Sequence, residues 1–314
     1  MPTPPTRAPI LVAPAAFRGT LRAPQVAAAL ARGLEQGGWP VDPCPIADGG
    51  AGTLEVLLPA LGGETAAVAV GGREVGIGLV DEGAAAIVEL APVLDGDAAT
   101  SAPAGELILA AAATGARVVI AGVGDARPAD GGAGAATAIR EAGGLDAELV
   151  ALCDVRTPVD RVADALAAAG TVAGAAAAAL GRRLDALASQ LPRDPRDVTW
   201  SGAGGGLAGA LWAVGARLES GAAFVLDALD ADGRMRAARA VVVGEGRLDL
   251  GTLAGKAAGE LATRARQSGV PCFAVVGERA IDPFGARILD LQAVLEAGDP
   301  AALEAAGRRL AAIV

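Results

Sequence analysis

Histidine and tyrosine are absent from the sequence, and its aromatic residues amount to four Phe and three Trp. Without imidazole, Ser-His-Asp hydrolysis, Cys-His proteolysis, His-ligated zinc and imidazole acid–base catalysis are excluded. Chemistry must then rest on carboxylates, Lys or Arg, backbone dipoles and a borrowed metal ion. Cysteine is scarce too: Cys44, Cys153 and Cys272 lie far apart, each in or beside an apolar run. That pattern offers neither a disulfide framework nor a zinc spacing, so buried thiols are expected. No stretch reaches about 18 uninterrupted strongly apolar residues, and the apolar run after the proline-rich start is broken by Pro9 and Pro14, unlike a signal peptide. A cytoplasmic protein without a membrane partner is the expectation. Basic residues number 26 against 36 acidic ones, for a net charge of −10, and they are dispersed, which argues against nucleic acid as a partner.

What the chain has in quantity is small residues. Forty-five glycines are too many for a helical bundle, and alanine swells a hydrophobic fraction of 53%. Alanine-rich helices lying close against Val, Ile and Leu strands fit this composition. At 314 residues the chain exceeds a usual single core, so two lobes, or one lobe carrying an insertion, are expected.

The pattern along the chain is α/β. Strands are expected at 10–13 and 41–46, a helix at 24–36, and a turn at Asp48-Gly49-Gly50-Ala51-Gly52-Thr53 before a helix at 54–61, the repeating unit of a parallel sheet. Segments 65–70, 74–80 and 85–90 read as an antiparallel meander. Then come a helix at 105–114, strands at 118–121 and 149–152, a helical pair within 161–191, a helix at 207–214 and a strand at 224–226. A strand at 240–243, a helix at 255–268, a strand at 272–276 and a terminal helix at 301–313 complete the chain. The two ends alternate alike, so residues 1–62 and 236–314 are expected to form one Rossmann-like parallel-sheet lobe, with an α/β lobe at 63–235 inserted.

Acids stand where the chain leaves several strands, and in parallel sheets the carboxyl ends face one crevice. Asp48, Asp130 and Asp154, with Glu245 and Asp249, are therefore candidates for a general base and for the oxygen ligands of Mg²⁺. Turn capping is the other reading for each acid. Within 244–256, Gly244-Glu245-Gly246-Arg247-Leu248-Asp249 ends a strand and Gly255-Lys256 opens a helix, so Arg247 and Lys256 are candidate phosphate contacts. The P-loop template fails, because Leu250 occupies its first glycine position and Ala257 follows Lys256. Gly202-Ala203-Gly204-Gly205-Gly206-Leu207 lacks the third glycine of a dinucleotide fingerprint.

These blocks, with Ala13-Pro14, Phe17-Arg18-Gly19, Leu21, Ile46–Thr53, Gly105-Glu106-Leu107-Ile108, Asp130–Gly134, Cys153-Asp154-Val155 and Gly202–Gly209, make the sequence resemble the bacterial glycerate kinases that form 2-phosphoglycerate from ATP and D-glycerate. The resemblance implies a Rossmann-like lobe, an inserted α/β lobe and an active site in the cleft between them, with ATP and Mg²⁺ required. It also implies roles: Asp48 or Asp130 as base, Lys256 in catalysis and phosphate binding, Arg18 and Arg247 on carboxylate or phosphate. Gly49, Gly50, Gly131, Gly132, Gly204 and Gly205 would shape the ligand loops, and Asp154, Glu245 and Asp249 would hold metal. The sequence departs from the family at Ala15 and Ala16 (family Asp-Ser), Arg18 (Lys), Ala51 (Glu) and Ala129, and the family's Phe-Gly-Pro-Gln-Lys-Gly segment is replaced by the alanine-rich helices. Two expectations follow: an ATP-dependent kinase of glycerate or a close hydroxy acid, or a degenerate relative that binds ligand without turnover.

Overall fold

The computed structural model describes residues 7–17, 19–94, 99–168, 170–172 and 174–314. In chain order the elements are β1 (Ile10–Pro14), α1 (Ala23–Gln36), β2 (Val41–Pro43), α2 (Thr53–Ala60), β3 (Glu64–Val70), β4 (Arg73–Val80), β5 (Ala85–Glu89), α3 (Ala102–Ala112), β6 (Val118–Gly122), α4 (Ala133–Glu141), β7 (Glu148–Cys153), α5 (Val162–Ala168), α6 (Gly174–Ala188), α7 (Leu207–Ala213) and β8 (Arg217–Ser220). The chain then forms α8 (Gly221–Ala228), α9 (Ala231–Ala237), β9 (Ala240–Leu248), α10 (Leu250–Leu253), α11 (Ala257–Ser268), β10 (Cys272–Arg279), α12 (Pro283–Ile288), β11 (Leu291–Glu296) and α13 (Pro300–Ala311). Two compact units result, one from the residues up to Ala47 with Leu226–Val314, the other from Asp48–Val225. The divisions differ from the expected 62/63 and 235/236 because α2 packs on β4 and β5, and α9 packs on α11.

The first unit is a five-stranded sheet in the order β11-β10-β9-β1-β2, every neighbouring pair parallel. The two ends of the chain do share one Rossmann-like sheet. Small residues set its helix packing: a side chain at Gly33 of α1 would lie 2.1 Å from the Glu304 carbonyl of α13, and one at Gly307 would lie 2.5 Å from the Leu30 carbonyl. Both helices approach at backbone distance, which an alanine-rich, aromatic-poor sequence permits. The expected strand at 41–46 stops at Pro43. The pairing nonetheless continues, with Cys44 N–H donating to the Val12 carbonyl at 2.8 Å and Ile46 N–H to the Pro14 carbonyl at 2.9 Å. Pro43 and Pro45 have no N–H to add, so the ladder is carried by alternate residues.

The second unit is a six-stranded sheet in the order β3-β4-β5-β6-β7-β8. β3, β4 and β5 pair antiparallel as the expected meander, and β5 to β8 run parallel. Its core gathers Ile77, Ile87, Leu107, Ile108, Val119 and Leu207, all without solvent exposure. The structure differs from the expectation at Phe224–Leu226, which is helical, inside α8, and the strand of that region is β8 just before it. The buried residues Ala222, Val225 and Leu226 recur at helical spacing, and this outweighs the strand preference of a short Phe-Val-Leu run. Among the described residues, no helix is long and apolar enough to cross a membrane.

Candidate functional site

In the second unit the acids gather at the carboxyl ends of the parallel strands. The Asp48–Thr53 turn is wedged against β6 and β7. A side chain at Gly49 would lie 2.6 Å from the Leu152 carbonyl, one at Gly122 would lie 2.7 Å from the Gly49 carbonyl, and one at Gly221 would lie 2.1 Å from the Asp48 carbonyl. Backbone therefore touches backbone on three sides, and Asp48, half-buried, is held beside the ends of β6 and β7. Inside the turn, Thr53 Oγ1 donates to the Gly50 carbonyl at 2.7 Å and accepts from Gly49 N–H at 3.1 Å. Gly52 sits at φ 89°, a left-handed conformation that favours glycine, directly before α2.

Two further carboxylates hold this turn, and sequence reading passed over both as site residues. Asp125, in the loop after β6, accepts the Ala51 N–H at 3.0 Å, and Glu89, the last residue of β5, accepts the Leu54 N–H at 2.7 Å. Asp125 is itself at φ 65°, a conformation Asp tolerates better than most residues. Burial, then the nearby Asp125 and Glu55 charges, push the Glu89 carboxyl above its ordinary range, although the Leu54 and Gly52 amides pull it down. Asp154 follows β7 and is buried at 8% exposure. The rule that singled out Asp48 and Asp154, an acid where a strand ends, applies equally to Glu89.

Asp130 is used differently. Its Oδ2 accepts from Ser101 N–H at 2.8 Å, Ser101 Oγ at 3.1 Å and Gly134 N–H at 3.0 Å, and its Oδ1 accepts from Gly132 N–H at 3.0 Å. Burial alone would raise its carboxyl, but the donors of Ser101, Gly132 and Gly134 outweigh it and hold the group below the usual range. A carboxylate so satisfied caps α4 and ties it to α3. Gly131 and Gly132 lie against the next glycine turn: a side chain at Gly132 would lie 2.8 Å from Leu207 Cα, and one at Gly204 would meet the Val123 carbonyl at 2.7 Å. Gly205 follows at φ 66°. Gly50 has Asp125 Oδ2 2.6 Å from where its side chain would begin. Close packing is thus a structural reason for four of the six singled-out glycines, Gly49, Gly50, Gly132 and Gly204, while Gly131 and Gly205 sit at positive φ.

In the first unit, the 244–256 stretch is locked from within. Gly244 to Leu248 are the last residues of β9, and Glu245 is buried at 6% exposure, accepting from Thr252 Oγ1 at 2.7 Å. Asp249 caps α10, accepting Gly251 N–H at 2.8 Å while its own N–H donates to Thr252 Oγ1 at 3.2 Å. Arg247 is half-exposed and pairs with Asp249 at 3.3 Å and with Glu278. The expected helix at 255–268 begins at Ala257, with Lys256 as its cap residue, because Gly255 at φ 126° is outside helical geometry. Lys256 Cε stands 3.5 Å from where a Gly251 side chain would begin. Arg18 lies outside the described residues, although its neighbour Phe17 is buried. Among the described residues, no three of Cys, Asp and Glu are grouped as a metal site.

A Rossmann-like parallel unit and an inserted α/β unit, with acids and basic residues at strand ends, define a two-unit α/β protein. The pattern of the glycerate kinase family matches residues 10–148 and 144–306, and the chain belongs to that family. It is 30% identical to the glycerate 2-kinase of Escherichia coli K12, covering 87% of this chain and 86% of that one. It is 29% identical to the glycerate kinase of Halalkalibacterium halodurans over 97% of both. An uncharacterized protein of Mycobacterium bovis is 34% identical, over 91% of this chain and 83% of its own. Among solved structures, a crystal structure assigned to glycerate kinase 2 of Salmonella typhimurium LT2 superimposes with a TM-score of 0.71 at 26% identity, covering 98% of each chain.

Proposed function

We propose that this chain transfers the γ-phosphoryl group of ATP to a hydroxyl of D-glycerate, giving 2-phosphoglycerate. The reading rests on family membership over nearly the whole chain, and one observation carries it to the residues. Glu245 and Asp249 are joined through Thr252, and Arg247 pairs with Asp249, so three of the charged residues of the 244–256 stretch are held by one internal network. Positioning and charge neutralisation supply most of the catalysis in phosphoryl transfer, and a locked strand end serves both.

Asp48 is the base that accepts the hydroxyl proton, in preference to Asp130, whose carboxylate already accepts four hydrogen bonds and is held below its usual range. Lys256 and Arg247 contact phosphate oxygens, and Arg18 joins them on carboxylate or phosphate. Mg²⁺ takes one or two carboxylates besides substrate phosphates; Glu245 and Asp249, joined through Thr252, offer hard oxygens without competing imidazole and would hold it. When bound with the nucleotide, the ion neutralises charge on the transferring group. ATP as donor implies action in the cytoplasm.

Purified protein incubated with ATP, Mg²⁺ and D-glycerate is expected to form ADP and phosphoglycerate. No turnover across a panel of small hydroxy acids would sink the reading and leave ligand binding without catalysis, which the alanines at 15, 16, 51 and 129 favour.

A further inference from the structure

At the start of α2, where the helix dipole and free amides would welcome an anion, the chain has placed its own carboxylates. Glu89 reaches from the end of β5 to the Leu54 N–H at 2.7 Å and also accepts from Gly52, while Asp125 takes the Ala51 N–H at 3.0 Å. Gly124 N–H closes the turn from its other side, donating to the Gly49 carbonyl at 2.9 Å. Three of the four amides from Ala51 to Leu54 are thereby tied to acids of β5 and the β6 loop. This turn is the one that carries Asp48.

We infer that Glu89 is a positioning residue: it holds the Gly52–Leu54 start of α2, and through that turn it fixes the place of Asp48. The assignment of a catalytic consequence rests on the reading of Asp48 as base; the hold on the turn does not. A phosphate is not expected at this helix start, because the acids of β5 and the β6 loop occupy its donors. Glu89 contributes no proton to the reaction. Its carboxylate is half-buried and directed to backbone N–H groups, so an acceptor oxygen of the same shape should hold the turn almost as well.

The test compares Glu89→Ala with Glu89→Gln. In Glu89→Ala, kcat is expected to fall about 10- to 100-fold, the effect of a displaced catalytic group, with KM for ATP and for glycerate changed less than about twofold. Glu89→Gln, which keeps an acceptor oxygen, is expected to recover most of that loss. Hydrogen exchange at the Gly52 and Leu54 amides should quicken in Glu89→Ala and nowhere beyond the turn. An unchanged kcat, a loss carried by KM, or a loss that follows the folded fraction through melting would each overturn the inference. If the wild-type chain forms no ADP, the kinase reading falls, and exchange alone decides: local acceleration at Gly52 and Leu54 upholds the hold on the turn, whereas identical exchange in both proteins refutes it.

Discussion

Thr252 Oγ1 donates to Glu245 Oε1 at 2.7 Å and accepts the Asp249 N–H at 3.2 Å, so one hydroxyl on α10 bonds both to the acid within β9 and to the acid that caps α10. Thr252 is 1% exposed. Replacing it by Val keeps the shape and leaves a buried carboxylate short of a donor. Thr252→Val is expected to cost about 1–3 kcal/mol of stability, read from denaturant midpoints, and to reduce ADP formation beyond what the folded fraction explains. Equal midpoints for the two proteins would contradict this account.

Lys256→Ala and Asp48→Asn remove the proposed phosphate cation and the base. Each is expected to lower ADP formation about 10²- to 10⁴-fold, the range of a lost acid–base or charge-stabilising group, with circular dichroism and melting close to wild type. A variant that keeps full activity removes that residue from the mechanism.

Gly221→Ala changes a residue outside the proposed chemistry, yet its methyl would stand 2.1 Å from the Asp48 carbonyl. The turn must shift or the fold must strain, by about 1–3 kcal/mol for such overpacking. The expected outcome is lower kcat together with a lower melting temperature, measured on the same preparation.

Asp130 is held below the usual carboxylate range, so the folded state binds its proton less readily than the unfolded state does. Its contribution to stability is complete above the ordinary Asp value of about 3.9 and is lost as pH falls through the depressed value. Asp130→Ala should remove about 1–2 kcal/mol near neutral pH, as lost caps do, and should flatten the acid limb of a stability-against-pH curve. An acid limb as steep as in wild type would show that other carboxylates carry it.

All three thiols are buried, and burial pushes Cys44 up to about 11 and Cys272 up to about 12. Thiolate is the reactive form. A disulfide reagent at pH 8 is expected to label none of the three at an appreciable rate in the folded protein and all three in denaturant. Rapid labelling of one thiol in the native state would mean that its unit opens locally.

Residue patterns made much of this readable in advance. The meander at 64–89, the two ends of the chain in one parallel sheet, the glycine turn at 48–53 and the Gly244–Lys256 stretch follow from period-two and helical spacings and from glycines at strand ends. Some elements escaped: β8, α9, α12 and β11 mix polar and apolar residues in no clean period, and Phe224–Leu226 read as a strand because only the buried positions at 222, 225 and 226 reveal a helix. The extensions of β9 and β10 to Leu248 and Arg279 were also hidden, since the glycines and charges there look like loop until the strands are seen paired, so close that a side chain at Gly277 would lie 2.6 Å from the Gly246 carbonyl.

By itself, the sequence excluded imidazole chemistry, because it contains no histidine. It also determined the family, through ordered blocks no single spacing could imitate. Only the tertiary structure decided which donors each acid meets. Asp130 looks equal to Asp48 in a row of letters, but hydrogen-bond donors distant in sequence, such as Ser101, consume its oxygens, while Glu89 and Asp125 become partners of a turn 35 and 74 residues away. Carboxylate identity is local, whereas the donors and burial that set its role arrive from other strands.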